Sequence, residues 1–239
     1  MNLTGGITWH WTAWRAQARW APTSHAIAQW LLKDAKVFKP EAVEGQPSLL
    51  LIGASAGWMM SSEWLGQFAR VDTFDIDPLA SMLFKWRHGA ALKASGTELH
   101  CHTQDALQNL PALLSHYPKA CVFFDNVLGQ VRFQHPANDW QAVEKKLQQL
   151  KVQLKGREWG SVHDRMSGPL TEEISEGTPL PVRKTDWKDQ QWLTHLNAQS
   201  PWLDHLTHSV FPTGMSVQDF AWNFSPRYRH WLQAAWVRP

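Results

Sequence analysis

The chain has 239 residues, a formal net charge of +2, 44% hydrophobic residues and 18% charged ones. That is long enough for one domain with a buried core, and too apolar for a disordered or fibrous chain. It is also too nearly neutral for a protein that grips phosphates over a wide surface, which makes nucleic acid an unlikely partner.

The unusual number is 16 Trp. Trp joins a large apolar area to a single N–H donor, which suits a core and the half-wet wall of a pocket. Cys101 and Cys121 lie in apolar runs and are expected to be buried free thiols, with no CxxC or Cys/His cluster to suggest zinc. The first residues lack the basic-then-apolar pattern of a secretory signal, and no apolar run reaches the ~18 residues that span a bilayer. A cytoplasmic protein without membrane segments is expected.

Residues 1–20 are aromatic and basic, with Gly5-Gly6 near the start, and predict a lid or an edge hairpin. Ser24 is placed to cap a helix running to about Phe38, with Ile27, Trp30, Leu31 and Ala35 on one face. Pro40, Gly45 and Pro47 end it. Leu49–Ile52 is a short, wholly apolar strand, as in the centre of a parallel sheet. A helix over Met59–Ala69 follows, then a strand at Val71–Asp75 and a helix that starts at Pro78 and runs to about His88. The pattern repeats with a strand at Glu98–His102, a helix at Asp105–Ser115 and a strand at Ala120–Phe124. It repeats again with a helix at Asn138–Leu154 and a strand at Trp159–His163. Residues 166–185 are polar and rich in Gly and Pro, which predicts a loop or insertion. Asp186–Ala198 predicts a helix. Val217–Asn223 and His230–Val237, joined by Ser225-Pro226-Arg227-Tyr228, predict an antiparallel hairpin.

Strand followed by helix, repeated five times, is the pattern of a doubly wound α/β sheet. The fold class expected is therefore α/β, a Rossmann-like sheet that is mostly parallel and ends in an antiparallel hairpin. Residues 1–239 form one domain in this reading. A Trp-rich segment and helix span 1–45, the core 46–165, an insertion with a helix 166–200, and the hairpin 201–239.

Four motifs follow the strand ends in order. The first is the loop Gly53-Ala54-Ser55-Ala56-Gly57, whose small residues let the backbone approach a ligand closely. The second is "TFDIDPLA", with Asp75 lying 22 residues after Gly53. That is close to the ~20 at which an acid accepts the ribose hydroxyls of a nucleotide-like cofactor. The third is "TQDAL" with Asp105, and the fourth "FFDNVLGQ" with Asp125 and Asn126.

On these motifs the sequence resembles the class I S-adenosylmethionine-dependent methyltransferases and their spermidine synthase relatives, over about residues 45–165 and 216–237. It departs from their usual G-x-G-x-G by carrying Ser55 at the middle glycine. The resemblance implies S-adenosylmethionine as cofactor. Gly53, Ser55 and Gly57 would lie against its methionine part, Asp75 on its ribose and Asp105 on its adenine. Asp125 and Asn126 would face the substrate as catalytic residues. Trp58, next to the loop, would present a π-face to the sulfonium. No Asn-Pro-Pro-Tyr-like motif follows the fourth strand, so a small-molecule acceptor is the residual expectation.

Three other readings stand beside this one. Gly53–Gly57 also matches the G-x-S-x-G nucleophile elbow, with Asp164 and His208 able to complete a hydrolase triad around Ser55. The loop and acid would also suit a dinucleotide oxidoreductase, and a methyltransferase scaffold can serve a binding protein without turnover. Among single residues, Asp77 reads as a helix-start acid. His163, Asp164 and Arg165 read as a group on one side of the sheet, either a polar cluster or the source of a general base. His100 and His102 share a strand face but lack a third ligand at metal spacing, so no metal is expected. His10 with Trp9, Trp11 and Trp14 can line a substrate pocket or simply pack.

Overall fold

The computed structural model describes residues 3–35, 47–136, 139–169, 183–184 and 202–239. The apolar runs become a parallel sheet of β1 (Ser48–Ile52), β2 (Arg70–Asp75), β3 (Glu98–Thr103), β4 (Cys121–Asp125) and β5 (Trp159–Pro169). Two short strands follow, β6 (Arg183–Lys184) and β7 (Leu203–Asp204), and then the hairpin of β8 (Ser216–Ser225) and β9 (Tyr228–Val237). The order across the sheet is β3-β2-β1-β4-β5-β9-β8-β6, with β7 paired to β5 off this path. β9 runs antiparallel to both β5 and β8. The chain winds outward from β1 to β3, then restarts on the other side at β4. The β1/β4 boundary is therefore a topological switch point, where a crevice opens outside the strand carboxyl ends.

Side chains alternate across the sheet with period two. Leu49 and Leu51 of β1 enter one apolar core, and Leu50 and Ile52 enter the other. The first core is roofed by α1 (Leu3–Asp34), α2 (Ser62–Leu65) and α3 (Pro78–Ala94). The second is roofed by α4 (Leu110–His116), α5 (Val127–Gln130) and α6 (Trp140–Gln153). Among the described residues no helix is long and apolar enough to cross a membrane.

The largest departure from expectation is α1. The lid or hairpin expected over residues 1–20 and the helix expected from Ser24 are one helix of 32 residues. Its buried positions are Gly6, His10, Ala13, Ala16, Trp20, Thr23, Ile27, Trp30 and Leu31, the three-and-four spacing of one helix face. Ser24 is no cap; its hydroxyl donates to the Ala21 carbonyl. Pro22 sits inside the helix, where it costs about 3 kcal/mol. Burial of Trp20, Ile27 and Leu31, at about 1.5–3 kcal/mol each, more than offsets that. Hydrogen bonds from Thr23 Oγ1 to Ala221 O (2.9 Å) and from Trp20 Nε1 to Phe224 O (3.1 Å) fasten α1 to β8.

Other boundaries also moved. The helix expected over 59–69 shrinks to Ser62–Leu65, capped by Ser61, whose hydroxyl accepts from Trp64 N, and closed at Gly66. α3 runs past His88 to Ala94. The helix expected at 105–115 begins only at Leu110, because Asp105 accepts from the backbone N–H of Leu107 and Gln108 in a turn of its own. β5 continues to Pro169, into the segment expected to be a loop. Cys121 is buried as expected, and burial pushes its thiol up to about 12, whereas Cys101 is partly exposed. The expected helix at 186–198 and the expected helix end near Phe38 lie outside the described residues.

Candidate functional site

A cavity of about 490 Å³ opens at the switch point. All four strand-end motifs reach it: Gly53 and Ser55 after β1, Asp75 at the end of β2, Asp105 after β3, and Asp125 and Asn126 at β4. Trp58 lines it as well, and Trp9 and Trp20 of α1 close one side. Gly57 is a support rather than a wall.

The loop is built on backbone that glycine permits. Gly53 has φ +76°, and a Cβ there would lie 2.8 Å from the Val127 Cβ and 2.9 Å from the Asp125 carbonyl. Gly57 has φ +66°, and its Cβ would lie 2.4 Å from His88 Nε2. His88 faces the Gly57 carbonyl at 3.1 Å and Ser62 Oγ at 2.7 Å, bracing the loop from behind. Burial holds its imidazole down at about 4, so it is neutral near pH 7.

Ser55 also has positive φ, +47°. Its N–H donates to Asp75 Oδ2 at 2.8 Å, and its hydroxyl accepts from Trp9 Nε1 at 3.1 Å. Asp75 Oδ1 accepts from Asp77 N at 2.8 Å. Each oxygen of a carboxylate has two acceptor directions, so both can still receive a hydroxyl from the cavity. Burial raises the Asp75 pKa, against the lowering effect of the two backbone donors. Asp77 is the N-cap of α3, as expected: Oδ1 accepts from Leu79 N at 2.9 Å, while Oδ2 lies 3.1 Å from His10 Nε2. Gly6 packs against this carboxylate, with room for no Cβ.

Asp125 has no side-chain hydrogen-bond partner among the described residues. Desolvation, with the nearby Asp75 charge second, pushes its carboxyl up to about 8. Asn126, in the left-handed region at φ +53°, turns away from this task. Its side chain donates to Asp164 Oδ2 at 3.0 Å and accepts from Asp164 N at 2.8 Å, fastening the β4 end to β5. One face of Trp58 is already covered by the Arg87 guanidinium, 4.3 Å from the ring centroid.

The electrostatics of the lining are one-sided. Four aspartates, Asp75, Asp77, Asp105 and Asp125, line the cavity, and no Lys, Arg or His does so among the described residues. Such a site favours a cation and disfavours phosphate.

Several candidates are dispersed. Trp11 and Trp14 pack on each other on the exposed side of α1, so only Trp9 of that group joins the cavity. His163, Asp164 and Arg165 do not converge. His163 pairs with Ser161 Oγ at 2.9 Å, Arg165 with Asp204, and Asp164 with His230 at 2.8 Å. His102 is bound to Asp72 Oδ1 at 2.9 Å, and His100 lies 3.6 Å from Glu98. The hydrolase triad is not assembled: His208 reaches toward Glu144 at 4.0 Å, and Asp164 is occupied by His230, Asn126 and Gln130. Sequence reasoning missed Trp20, Trp222, Gln104, Gln130 and Phe133 on the cavity wall. Gln104 and Gln130 carried a local signal, since each lies within a strand-end motif, "TQDAL" and "FFDNVLGQ".

The strand order decides the fold: five parallel strands wound from β1, then β9 inserted antiparallel between β5 and β8. This is the class I methyltransferase fold. No family model and no curated protein matches the chain. Solved structures with this fold do. A magnesium protoporphyrin IX methyltransferase from Synechocystis PCC 6803 with bound SAH is 16% identical, with a TM-score of 0.45 over 91% of this chain and 82% of that one. An S-adenosylmethionine-dependent methyltransferase from Anabaena variabilis is 12% identical, with a TM-score of 0.46 over 98% and 95%. A plantazolicin methyltransferase in complex with SAH is 14% identical, with a TM-score of 0.34. The match spans 66% of this chain and about half, 52%, of that one.

Proposed function

We propose that the cavity binds S-adenosylmethionine and that the protein transfers its methyl group to a small-molecule acceptor. The observation that carries the reading is the lining itself: four aspartates at or just after the carboxyl ends of β2, β3 and β4 and, among the described residues, no cationic side chain. A sulfonium with an α-ammonium group is attracted to such a wall, while the pyrophosphate of a dinucleotide is not. The glycine cradle at Gly53 and the two free acceptor directions of Asp75 suit the rest of the molecule.

In this reading Gly53 and Ser55 shape the floor under the methionine part, and Gly57 supports the loop from behind. Asp75 accepts the ribose hydroxyls, and Asp105 faces the adenine with the oxygen not used in its own turn. Bound there, the cofactor supplies an electrophilic methyl: the acceptor's lone pair forms the bond to carbon, and the carbon–sulfur pair returns to sulfur. The chain's contribution is alignment and exclusion of water. Trp9 and Trp20 do this from α1, and Trp222 from β8. Trp58 offers its uncovered face to the sulfonium, an interaction of ~0.5–2 kcal/mol.

Asp125 holds a proton near pH 7 in the free protein. A cation in the cavity favours its ionised form, so binding draws that proton off and leaves a carboxylate able to accept one from the methyl acceptor. Asn126 positions the β4 end through Asp164 rather than touching the reacting atoms. The acidic lining, with no cationic side chain among the described residues, makes a nucleic-acid acceptor a poor fit and a compact neutral or cationic acceptor the better one.

Calorimetry with S-adenosylmethionine and S-adenosylhomocysteine tests the reading, followed by single-turnover assays across a panel of small acceptors. Binding of both ligands with methyl transfer to a panel member supports it. NADH binding in place of either ligand overturns it.

A further inference from the structure

Behind the cavity wall lies a second group of polar side chains that the methyl-transfer reading does not use. Asp164 of β5, His205 just after β7 and His230 of β9 each offer one ligand atom, and these atoms lie within 4.8 Å of one another. Asp164 and His205 are buried, and the His230 side chain is 14% exposed. The three positions are up to 66 residues apart and come from three separate segments.

A β-bulge brings them together. β5 and β9 shift register between Asp164 and Met166, leaving Arg165 as the extra residue. Residues three apart on a regular strand face opposite sides of the sheet. The inserted residue resets that parity, so Asp164 and Ser167 join one cluster. Ser167 pairs in register with His230, and its hydroxyl lies 2.9 Å from His205 Nε2.

The surroundings orient His205 and Asp164 as the outer shell of a metal centre does. His205 Nδ1 lies 2.9 Å from the Gly129 carbonyl. That contact requires the proton on Nδ1 and leaves the Nε2 lone pair facing the cluster. Asp164 Oδ2 is held by the amides of Asn126 (3.0 Å) and Gln130 (3.2 Å), which turns Oδ1 toward His230 Nδ1 at 2.8 Å. In the metal-free protein the proton on His230 Nδ1 occupies the place between the two ligands.

We propose that Asp164, His205 and His230 form a site for a divalent first-row transition-metal ion, with Zn²⁺ as the representative case. Two imidazoles and one carboxylate suit these ions; Mg²⁺ and Ca²⁺ prefer all-oxygen sets. The ion displaces the shared His230 proton and the Ser167 hydroxyl from His205 Nε2, with its bonds to nitrogen near ~2.0–2.1 Å. It ties β5, β9 and the segment after β7 into one unit. Through Asn126 and Gln130, which both line the cavity, it fixes the wall against which the acceptor rests. The site stands on its own ligands and does not require that the cavity bind S-adenosylmethionine.

The test is calorimetric titration of the full chain, stripped of metal, with Zn²⁺ and separately with Mg²⁺, with melting followed in parallel. One Zn²⁺ per chain, a rise in melting temperature and no heat with Mg²⁺ are expected. His205→Ala and His230→Ala should each weaken Zn²⁺ binding by at least about 10-fold. His205→Gln, which keeps a side chain of similar length, guards against a folding defect and should weaken it as well. Failure of the wild-type chain to bind one Zn²⁺, equal binding of Mg²⁺, or undiminished Zn²⁺ affinity in well-folded His205→Gln and His230→Ala variants would overturn the assignment.

Discussion

The two halves of the sheet handle their polar residues in opposite ways. In the parallel half, β1 to β4, the acidic side chains that face the cavity stand on the last residue of a strand or just beyond it, and Asp72, buried in mid-β2 and bound by Arg70, His102 and Tyr117, is the exception. Asp75 and Asp125 each close an apolar run and look into the cavity. In the half made of β5, β8 and β9, polar side chains lie inside the strands. His163, Asp164, Arg165 and Ser167 are all buried in mid-strand, and each makes a polar contact with the protein itself: His163 with Ser161 of its own strand, Asp164 with His230, Arg165 with Asp204 and Ser167 with His205. The first arrangement leaves lone pairs available to a ligand. The second uses them to hold the structure, and only a bulge turns one of them toward a new cluster.

The sharpest way to break this contrast is Asp164→Ala. It removes the partner of His230, Asn126 and Gln130 at once from a fully buried position. Loss of such a buried partner costs about 3–5 kcal/mol. A large fall in denaturation midpoint is expected, with cofactor affinity well below that temperature changed by less than about 5-fold. A mild effect on stability would mean that the second half does not depend on its buried polar groups.

Asp125→Asn probes the parallel half through pH. The folded-state carboxyl titrates at about 8, against an ordinary value of about 4. Between these values the folded protein binds more protons than the unfolded chain, so this group's stabilising contribution is fully present below about pH 4. It is lost progressively as pH rises toward about 8. The Asn variant should lack that decline, and its melting temperature should exceed the wild type's at pH 8. Cofactor affinity should tighten as pH rises toward 8 in the wild type, and stay flat in the variant. Parallel pH profiles for the two proteins would remove Asp125 from the account.

The smallest expected effect is at Ser55. Ser55→Gly relieves a positive φ but loses the hydrogen bond from Trp9. Each is worth about 1 kcal/mol, so they nearly cancel. Stability within about 1 kcal/mol of wild type and retained turnover are expected. Abolished turnover with intact cofactor binding would return Ser55 to the role of a nucleophile.

The same contrast explains what the sequence made legible. Asp75, Asp105 and Asp125 could be read because each follows a short strand run and therefore marks a strand end. The order of β1 to β4 and the terminal hairpin were readable for the same local reason. The course of α1 was not, because Pro22 and Gly5-Gly6 are breakers by propensity. Only packing of Trp20, Ile27 and Leu31 against the first core overrides them. The Asp164, His205 and His230 cluster was invisible because its parity depends on the bulge at Arg165, which no local pattern announces. Asn126 stood beside Asp125 in the chain and also borders the cavity, yet with its left-handed backbone its side-chain amide is taken up by Asp164. The four-aspartate wall was visible residue by residue, but its meaning as a cation-favouring surface came only when the strands were aligned.

The central claim is that the acidic wall at the switch point holds S-adenosylmethionine through Asp75. Isothermal calorimetry of the wild type and Asp75→Ala with S-adenosylhomocysteine tests it most directly. Two hydroxyl hydrogen bonds to a carboxylate are worth about 1.5–3 kcal/mol each, so the variant should bind at least about 100-fold more weakly while remaining folded. Equal affinity in the two proteins, or no binding by the wild type, would contradict the account.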